Sequence, residues 1–484
     1  MSSTLILFFV FAYFIVLLGI AIYTARGADN ETFFIGKKKS NWMLVAYGMI
    51  GTSLSGVTFM SVPGEVDLKH FTYMQVVIGY LLGYLVVAYV LLPLYYRLNL
   101  TSIYSYLKSR FGVISYKTGA SFFLLSRTVG ASIRIYLVLI VLQHLLLDGL
   151  GVPYFVTVFT ILALILVYTF KGGVKTIVWT DTLQTTGMIL ALIITIVLIY
   201  NELNFSFGEL FAAISNKGYT ETFQINDWQA GNYFLKAILG GAFITITMTG
   251  LDQEMMQKNI SVNTLANSQK NMLVFSFILL FVNLLFLILG GALYVFAQTK
   301  GIQLPAKTDE TFSLIALNHL SPVAGLIFII GLISALFPSA DGALTALTSS
   351  FCIDILGIKE RDDLTESQKT NTRRIVHISI TVVFFVLILL YRKWIEASVI
   401  STILKIAGYT YGPLLGLFSF GILTKRVLKD SWLVPLVCVA SPLICWVINE
   451  HSIQWLGGYK FGFELLLLNG SITFAGMFLL SKRN

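Results

Sequence analysis

"GMIGTSLSGVTFMSVPGEV", residues 48–66, lies in one of the most apolar parts of the chain. Its middle nevertheless carries Gly51, Thr52, Ser53, Ser55, Gly56, Thr58 and Ser61, with Pro63 and Gly64 behind them. A helix that crosses lipid satisfies its backbone groups internally, and non-helical backbone is tolerated at that depth only where it lines a protected cavity. Two readings fit the spelling. Small residues let helices pack closely, or the helix breaks around Ser53 to Gly56 and offers free carbonyls to a cavity.

The rest of the chain makes lipid the setting. Of 484 residues, 56% are hydrophobic and only 12% charged, where a soluble domain is roughly a quarter charged. Long apolar runs recur from end to end, which reads as one all-α polytopic integral membrane domain over residues 1–484. The first run, Leu5 to Tyr23, has no basic residue before it and no small-residue cleavage site after it, so it reads as a retained helix. Cys352, Cys438 and Cys445 lie in or beside apolar runs and read as small core residues. No P-loop pattern and no helical His-Glu zinc pair occurs, which argues against a primary pump, a metallohydrolase or another enzyme. No nucleic-acid signature accompanies the net charge of +9.

A spanning helix needs roughly 20 mainly apolar residues, and about thirteen segments qualify. Their expected limits are 4–24, 41–63, 73–98, 116–147, 152–170, 177–200, 233–257, 271–298, 322–350, 374–391, 396–424, 431–449 and 461–481. With the N-terminus outside and the C-terminus cytoplasmic, about 22 of the 33 basic residues fall in inner loops, Lys258 and Arg483 among them. That bias supports an odd span count in a plasma (inner) membrane. Residues 98–111, "LNLTSIYSYLKSRF", alternate apolar and polar residues with basic ends and are expected to lie along the inner membrane surface.

Charge inside hydrocarbon is costly and marks function. The candidates are Arg127, Arg134, Asp181, Lys236, Asp341 and Lys405. Asp181 and Asp341 fall in the inner part of their helices, and Gly51 to Ser55 near mid-depth. Oxygen ligands gathered at such a level suit a hard cation. Helix 7 carries "ILGGAFITITMTGLDQ" (residues 238–253), again small and hydroxyl-rich, five helices after helix 2 and running the opposite way. Five-helix repeats of opposite orientation, each opening on a broken helix, are a secondary-transporter architecture. Helices 2–6 (residues 41–200) and 7–11 (233–424) would be the repeats, with helix 1 (4–24) and helices 12–13 (431–481) peripheral.

At this point the chain resembles the sodium:solute symporter family, whose members carry sugars, proline, sialic acid, monocarboxylates, vitamins and iodide. The resemblance runs through helices 1 to 11. It rests on "KGGVKTIVWTDTLQ" at 171–184, "LNLTSIYSYLKSRFG" at 98–112, "TGLDQEMMQK" at 249–258 and "TSLSGVTFMSVP" at 52–63. It implies the inverted-repeat (LeuT-like) fold and Na⁺ as the coupled ion. One Na⁺ would sit between the broken helix 2, through the carbonyls of Gly51 and Leu54, and helix 9, through the carbonyl of Ala335 and the hydroxyl of Ser339. Pro338 stands where the first of two adjacent hydroxyls is expected. A second Na⁺ site would use Ser55, Asp181 and Asp341, where Asp341 and Gly342 replace a serine pair. Asp341 has other readings, as an ion-pair partner of a nearby base or as half of a proton-sensitive pair with Asp181. Asp181 alone has a second reading, as a cap at the start of helix 6.

The resemblance places the solute at mid-membrane, with Ser55 and Thr58 facing it and Gln75 reaching it from above. Arg127 and Arg134 share one face of helix 4. An arginine in a cavity suits a carboxylate, while an internal ion pair with Asp341 or Asp181 is the alternative. Neither arginine stands where a sialic acid carrier of this family places its carboxylate ligand, a position nearer Gly130. Tyr409 and Tyr411 read as gate aromatics or as packing. The expected function is Na⁺-coupled symport of a small organic solute, an organic anion such as a sialic acid or a monocarboxylate before a sugar or polyol. A proton-coupled symporter using Asp181 and Asp341, and a membrane sensor without transport, are the alternatives. The partners are the solute, Na⁺ and the bilayer, with a monomer as the expected state.

Overall fold

The computed structural model describes residues 3–26, 28–393 and 399–482. The start of expected helix 11, residues 396–398, lies outside the described residues, as does Arg483. Seven helices are long and apolar enough to cross a membrane: Val66–Arg97 (α3), Val113–Leu142 (α4), Gly173–Glu202 (α6), Leu265–Lys300 (α8), Pro322–Ile355 (α9), Glu366–Tyr391 (α10) and Leu433–Glu450 (α12). Three bent pairs bring this to ten if each is one span. They are Trp42–Ser53 with Gly56–Gly64 (α2), Phe234–Gly250 with Gln253–Ile260 (α7), and Thr402–Thr410 with Gly412–Leu423 (α11). Shorter apolar helices at Phe8–Thr24 (α1), Tyr154–Phe170 (α5) and Leu465–Leu480 (α13) stand where the remaining three segments were expected.

Two of the breaks decide the architecture. α2 bends by 56° and α7 by 63°, five helices apart, and each opens a run of five. α9 is the most buried long helix, 78% of its apolar window lying inside the protein, and it packs against α2, α4, α5 and α6. It is spelled accordingly, with Gly, Ala and Ser spaced between Leu and Phe, so that neighbours approach it on all sides. α5 and α6 are separated by the double glycine of the KGG motif. Gly173 adopts φ 50°, ψ −136°, and a Cβ there would fall 2.5 Å from the Phe33 backbone, so the turn admits only glycine.

The segment expected to lie on the membrane surface does otherwise. Only Ser105–Arg110 is helical, and Ile103, Tyr104 and Leu107 are fully buried. Its alternation fits burial within the protein, because it lies beneath the break of α7. The Ile103 N–H donates to Gln253 Oε1 at 3.0 Å, and Gln253 Nε2 donates to the Thr101 carbonyl at 2.9 Å.

Candidate functional site

α2 stops because its backbone leaves helical space at Leu54 (φ −91°, ψ 78°) and Ser55 (φ −72°, ψ 175°). The Leu54 N–H closes the last turn on the Ile50 carbonyl. The carbonyls of Gly51 to Leu54 then lack the donors a continuing helix would bring. Gly51 sits at the contact with α6 and α9. A Cβ on it would lie 2.5 Å from Thr185 Oγ1 and 3.3 Å from Pro338 Cγ, so glycine lets the three helices meet here. On α9, Ala335 and Ser339 are buried, and Ser339 Oγ donates to the Leu336 carbonyl at 2.9 Å, leaving its lone pairs free. α9 runs through Pro338 as one helix. The missing proline N–H leaves the Ser334 carbonyl without its usual partner.

The break of α7 is built differently. Its freed carbonyls are closed by tyrosines: Tyr95 Oη donates to Gly250 at 2.7 Å, and Tyr104 Oη to Leu251 at 2.9 Å. Asp252 caps the inner half by accepting from the Glu254 N–H at 2.9 Å. Among the described residues no side-chain donor reaches the carbonyls of Gly51 to Leu54 in α2. At the α7 break two carbonyls are closed by tyrosine hydroxyls, while at the α2 break the carbonyl oxygens stay open.

Beside the α2 break lies a buried charge network that joins the two repeats. Lys258, on the inner half of α7, places Nζ 2.7 Å from Asp181 Oδ2 and 2.6 Å from Thr52 Oγ1. Thr52 Oγ1 itself lies 3.1 Å from Asp181 Oδ2. Glu254 Oε1 stands 4.0 Å from Lys258 Nζ, and Glu254 Oε2 accepts from Arg127 of α4. Arg127 also lies 3.7 Å from Asp252, whose carboxylate accepts from Tyr411 Oη at 2.8 Å. All of these side chains are almost fully buried. Asp341 stands apart from the ion pairs. It accepts from Tyr168 Oη at 2.7 Å and from the Gly342 N–H at 2.6 Å. Among the described residues no base lies within ion-pair distance of it, and no group of three or more acidic, histidine or cysteine side chains could hold a metal ion.

Above the network lies a partly open cavity of about 100 Å³. Its lining is rich in hydroxyls, with Ser53, Ser55, Thr58, Tyr73, Tyr80, Thr245 and Thr249, together with Asn283 and an apolar side of Val57, Met248, Ile400 and Ile403. Two arginines line it as well, Arg127 and Arg134. Arg127 is paired. Arg134 has no acidic side chain within 4.0 Å and no hydrogen-bond partner among the described residues.

The expected site residues sort accordingly. Leu54, Ser55, Thr58 and Arg134 line the cavity, while Gly51 meets Pro338 of α9, the helix that carries Ala335 and Ser339. Gln75 is not among the lining residues. Its Nε2 donates to the Thr72 carbonyl and its Oε1 accepts from the Gln224 N–H, which ties α3 to the connection after α6. Asp181 lies beside the α2 break, but Lys258 Nζ fills the place next to it. The expected partners of the arginines, Asp181 and Asp341, are not theirs; Arg127 takes Glu254 and Asp252 instead. Tyr409 accepts from Asn449 of α12 at 3.0 Å and serves packing. Lys236 donates to the carbonyls of Gln229 and Lys460 and sits on the Tyr459 ring, and Lys405 is exposed, so neither belongs to the cavity. Gly130 does not line the cavity; Arg134, one turn further along α4, does.

The residues missing from the sequence reading are Asp252, Glu254 and Lys258. "LDQEMMQK" looks like the polar end of a span entering a cytoplasmic loop, and Lys258 was counted there. In the structure Lys258 is 3% exposed, because the bend in α7 folds this half under the first repeat. The available signal was the four-residue spacing of Glu254 and Lys258, which puts them on one helix face, and the presence of Asp252 at the end of an apolar run.

The pattern described as the Sodium:solute symporter family matches residues 33–434. The sodium/sialic acid symporter SiaT of Proteus mirabilis (strain HI4320) is 24% identical over 88% of this chain and 86% of its own length. The sodium/sialic acid symporter NanT of Aliivibrio fischeri (strain ATCC 700601 / ES114) is 25% identical over 96% of this chain and 91% of its own. Among solved structures, a substrate-bound, outward-open Na⁺-coupled sialic acid symporter superposes with a TM-score of 0.84 at 21% identity, covering 100% of this chain and 99% of that one.

Proposed function

The chain belongs to the sodium:solute symporter family, and from that premise we propose that it couples Na⁺ entry to uptake of sialic acid or a similar polyhydroxylated carboxylate. It is a Na⁺-coupled symporter of the membrane; the solute and the residues that hold it are the proposed part. The observation that carries the reading is Arg134, which has no partner among the described residues and lines a hydroxyl-rich cavity next to the open carbonyls of α2. A half-buried arginine with no acidic partner among the described residues recognises a carboxylate by forked, charge-assisted hydrogen bonds. Serine, threonine and tyrosine hydroxyls and Asn283 supply partners for a polyol body, which favours a sugar acid over a simple monocarboxylate.

In this reading Na⁺ is held by the carbonyls of Gly51, Leu54 and Ala335 and by Ser339 Oγ. It bridges α2 to α9 and favours the state open to the outside. Its loss on the cytoplasmic side frees α2 from α9, and ion and solute leave together. The N-terminus outside, the C-terminus in the cytoplasm, the plasma (inner) membrane and a monomeric unit complete the proposal; the loop-charge bias supports the orientation.

Ser339→Ala removes one oxygen ligand and leaves the cavity untouched. The Na⁺ concentration for half-maximal uptake is expected to rise about tenfold, the equivalent of about 1.4 kcal/mol. Solute affinity at saturating Na⁺ should hold. Unchanged Na⁺ dependence would remove Ser339 from the ion site.

A further inference from the structure

We infer that the Lys258 ammonium is a built-in monovalent cation at Asp181, so that the protein binds a single Na⁺, at the contact of α2 and α9. The inference rests on the Na⁺ reading above and adds its stoichiometry. The argument is local chemistry. Asp181 is fully buried on α6 and needs a positive partner. A hard monovalent ion at that position would take oxygen from the Asp181 carboxylate and the Thr52 hydroxyl. Lys258 Nζ already makes both contacts, at 2.7 and 2.6 Å, with Glu254 at 4.0 Å on its other side.

The lysine is held there by its own element. The inner half of α7 is capped by Asp252, and Ser261 Oγ donates to the Lys258 carbonyl at 2.6 Å. Among the described residues the groups facing the ammonium are Asp181 from α6, Thr52 from α2, Glu254 from α7, and Asp341 of α9, whose oxygens accept from Tyr168 Oη and the Gly342 N–H. A transported ion at this place must arrive and leave in each cycle; a covalently tethered one only shifts with α7. With one Na⁺ and a monoanionic solute the transport step carries no net charge.

Equilibrium binding of radioactive Na⁺ to the purified full-length protein tests this without any solute. The expected result is one saturable Na⁺ per molecule with a Hill coefficient near one. Lys258→Ala leaves Asp181 and Glu254 without their cation, and the variant is expected to bind two Na⁺ with a Hill coefficient approaching two. Two Na⁺ on the unmodified protein would overturn the inference, whether or not the variant folds. One Na⁺ on a folded Lys258→Ala protein would also overturn it, because the ammonium would then not be filling an ion site. No Na⁺ bound by the unmodified protein would defeat the proposed Na⁺ site itself, which separates the two failures.

Discussion

Arg127→Met is expected to be among the most damaging single substitutions in the chain, destabilising it by about 3–5 kcal/mol, the usual consequence of removing one partner from a buried ion pair. Arg127 is the only base in contact with both Glu254 and Asp252 among the described residues, and all three are nearly or fully buried. Without it Glu254 keeps only Lys258 at 4.0 Å among the described residues, and Asp252 keeps Tyr411 and the backbone N–H groups it caps. Thermal unfolding in detergent should show the loss as a large fall in midpoint. Glu254→Leu on top of Arg127→Met should recover part of it, since replacing both members of a buried pair by apolar groups costs far less than orphaning one. Equal midpoints for Arg127→Met and the unmodified protein would mean that the network does not hold α4 to α7.

Arg134→Met should behave in the opposite way. The side chain has no partner among the described residues, so the midpoint should hold. Affinity for the acidic solute should fall, because truncating one side of a buried charged contact costs about 2–5 kcal/mol, which at the lower limit is roughly 30-fold. Binding of the solute by calorimetry at saturating Na⁺ reads this directly, and Na⁺ binding should be unaffected. An unchanged solute affinity would remove Arg134 from the pocket and with it the case for a carboxylate. The two arginines lie seven residues apart on one helix face. One is paired within the protein and the other is proposed to meet the solute, and only the tertiary structure tells them apart.

That contrast also marks how far the sequence could be read. The break at Ser53 to Gly56 was legible because glycine and hydroxyls in an apolar run have few physical explanations, and its counterpart in α7 narrowed them further. Asp181 was legible as a charge that lipid would not tolerate alone. Its partner was not. Lys258 lies 77 residues away in the chain, on a half-helix whose polar spelling is that of a loop entrance, and no periodicity encodes a bend that turns a helix end inward. The same limit misplaced residues 98–111: alternation reports one buried face, and protein rather than lipid headgroups covers it. Gln75 failed for a related reason, since a polar residue at the start of a span can serve a loop backbone as readily as a ligand. Pro338 and Asp341 departed from the family's spelling, and the structure accommodates both, the proline inside an unbroken helix and the carboxylate against Tyr168 and Gly342.

The central claim is that Na⁺, held at the open carbonyls of α2, drives accumulation of an acidic solute. Uptake of radiolabelled sialic acid into proteoliposomes containing the purified protein, under an imposed gradient of one ion at a time, tests it most directly. The expected result is accumulation above equilibrium with an inward Na⁺ gradient at equal pH, and none with K⁺ in place of Na⁺. Accumulation driven by a proton gradient in the absence of Na⁺, or no accumulation under the Na⁺ gradient by a protein that binds the solute, would contradict it.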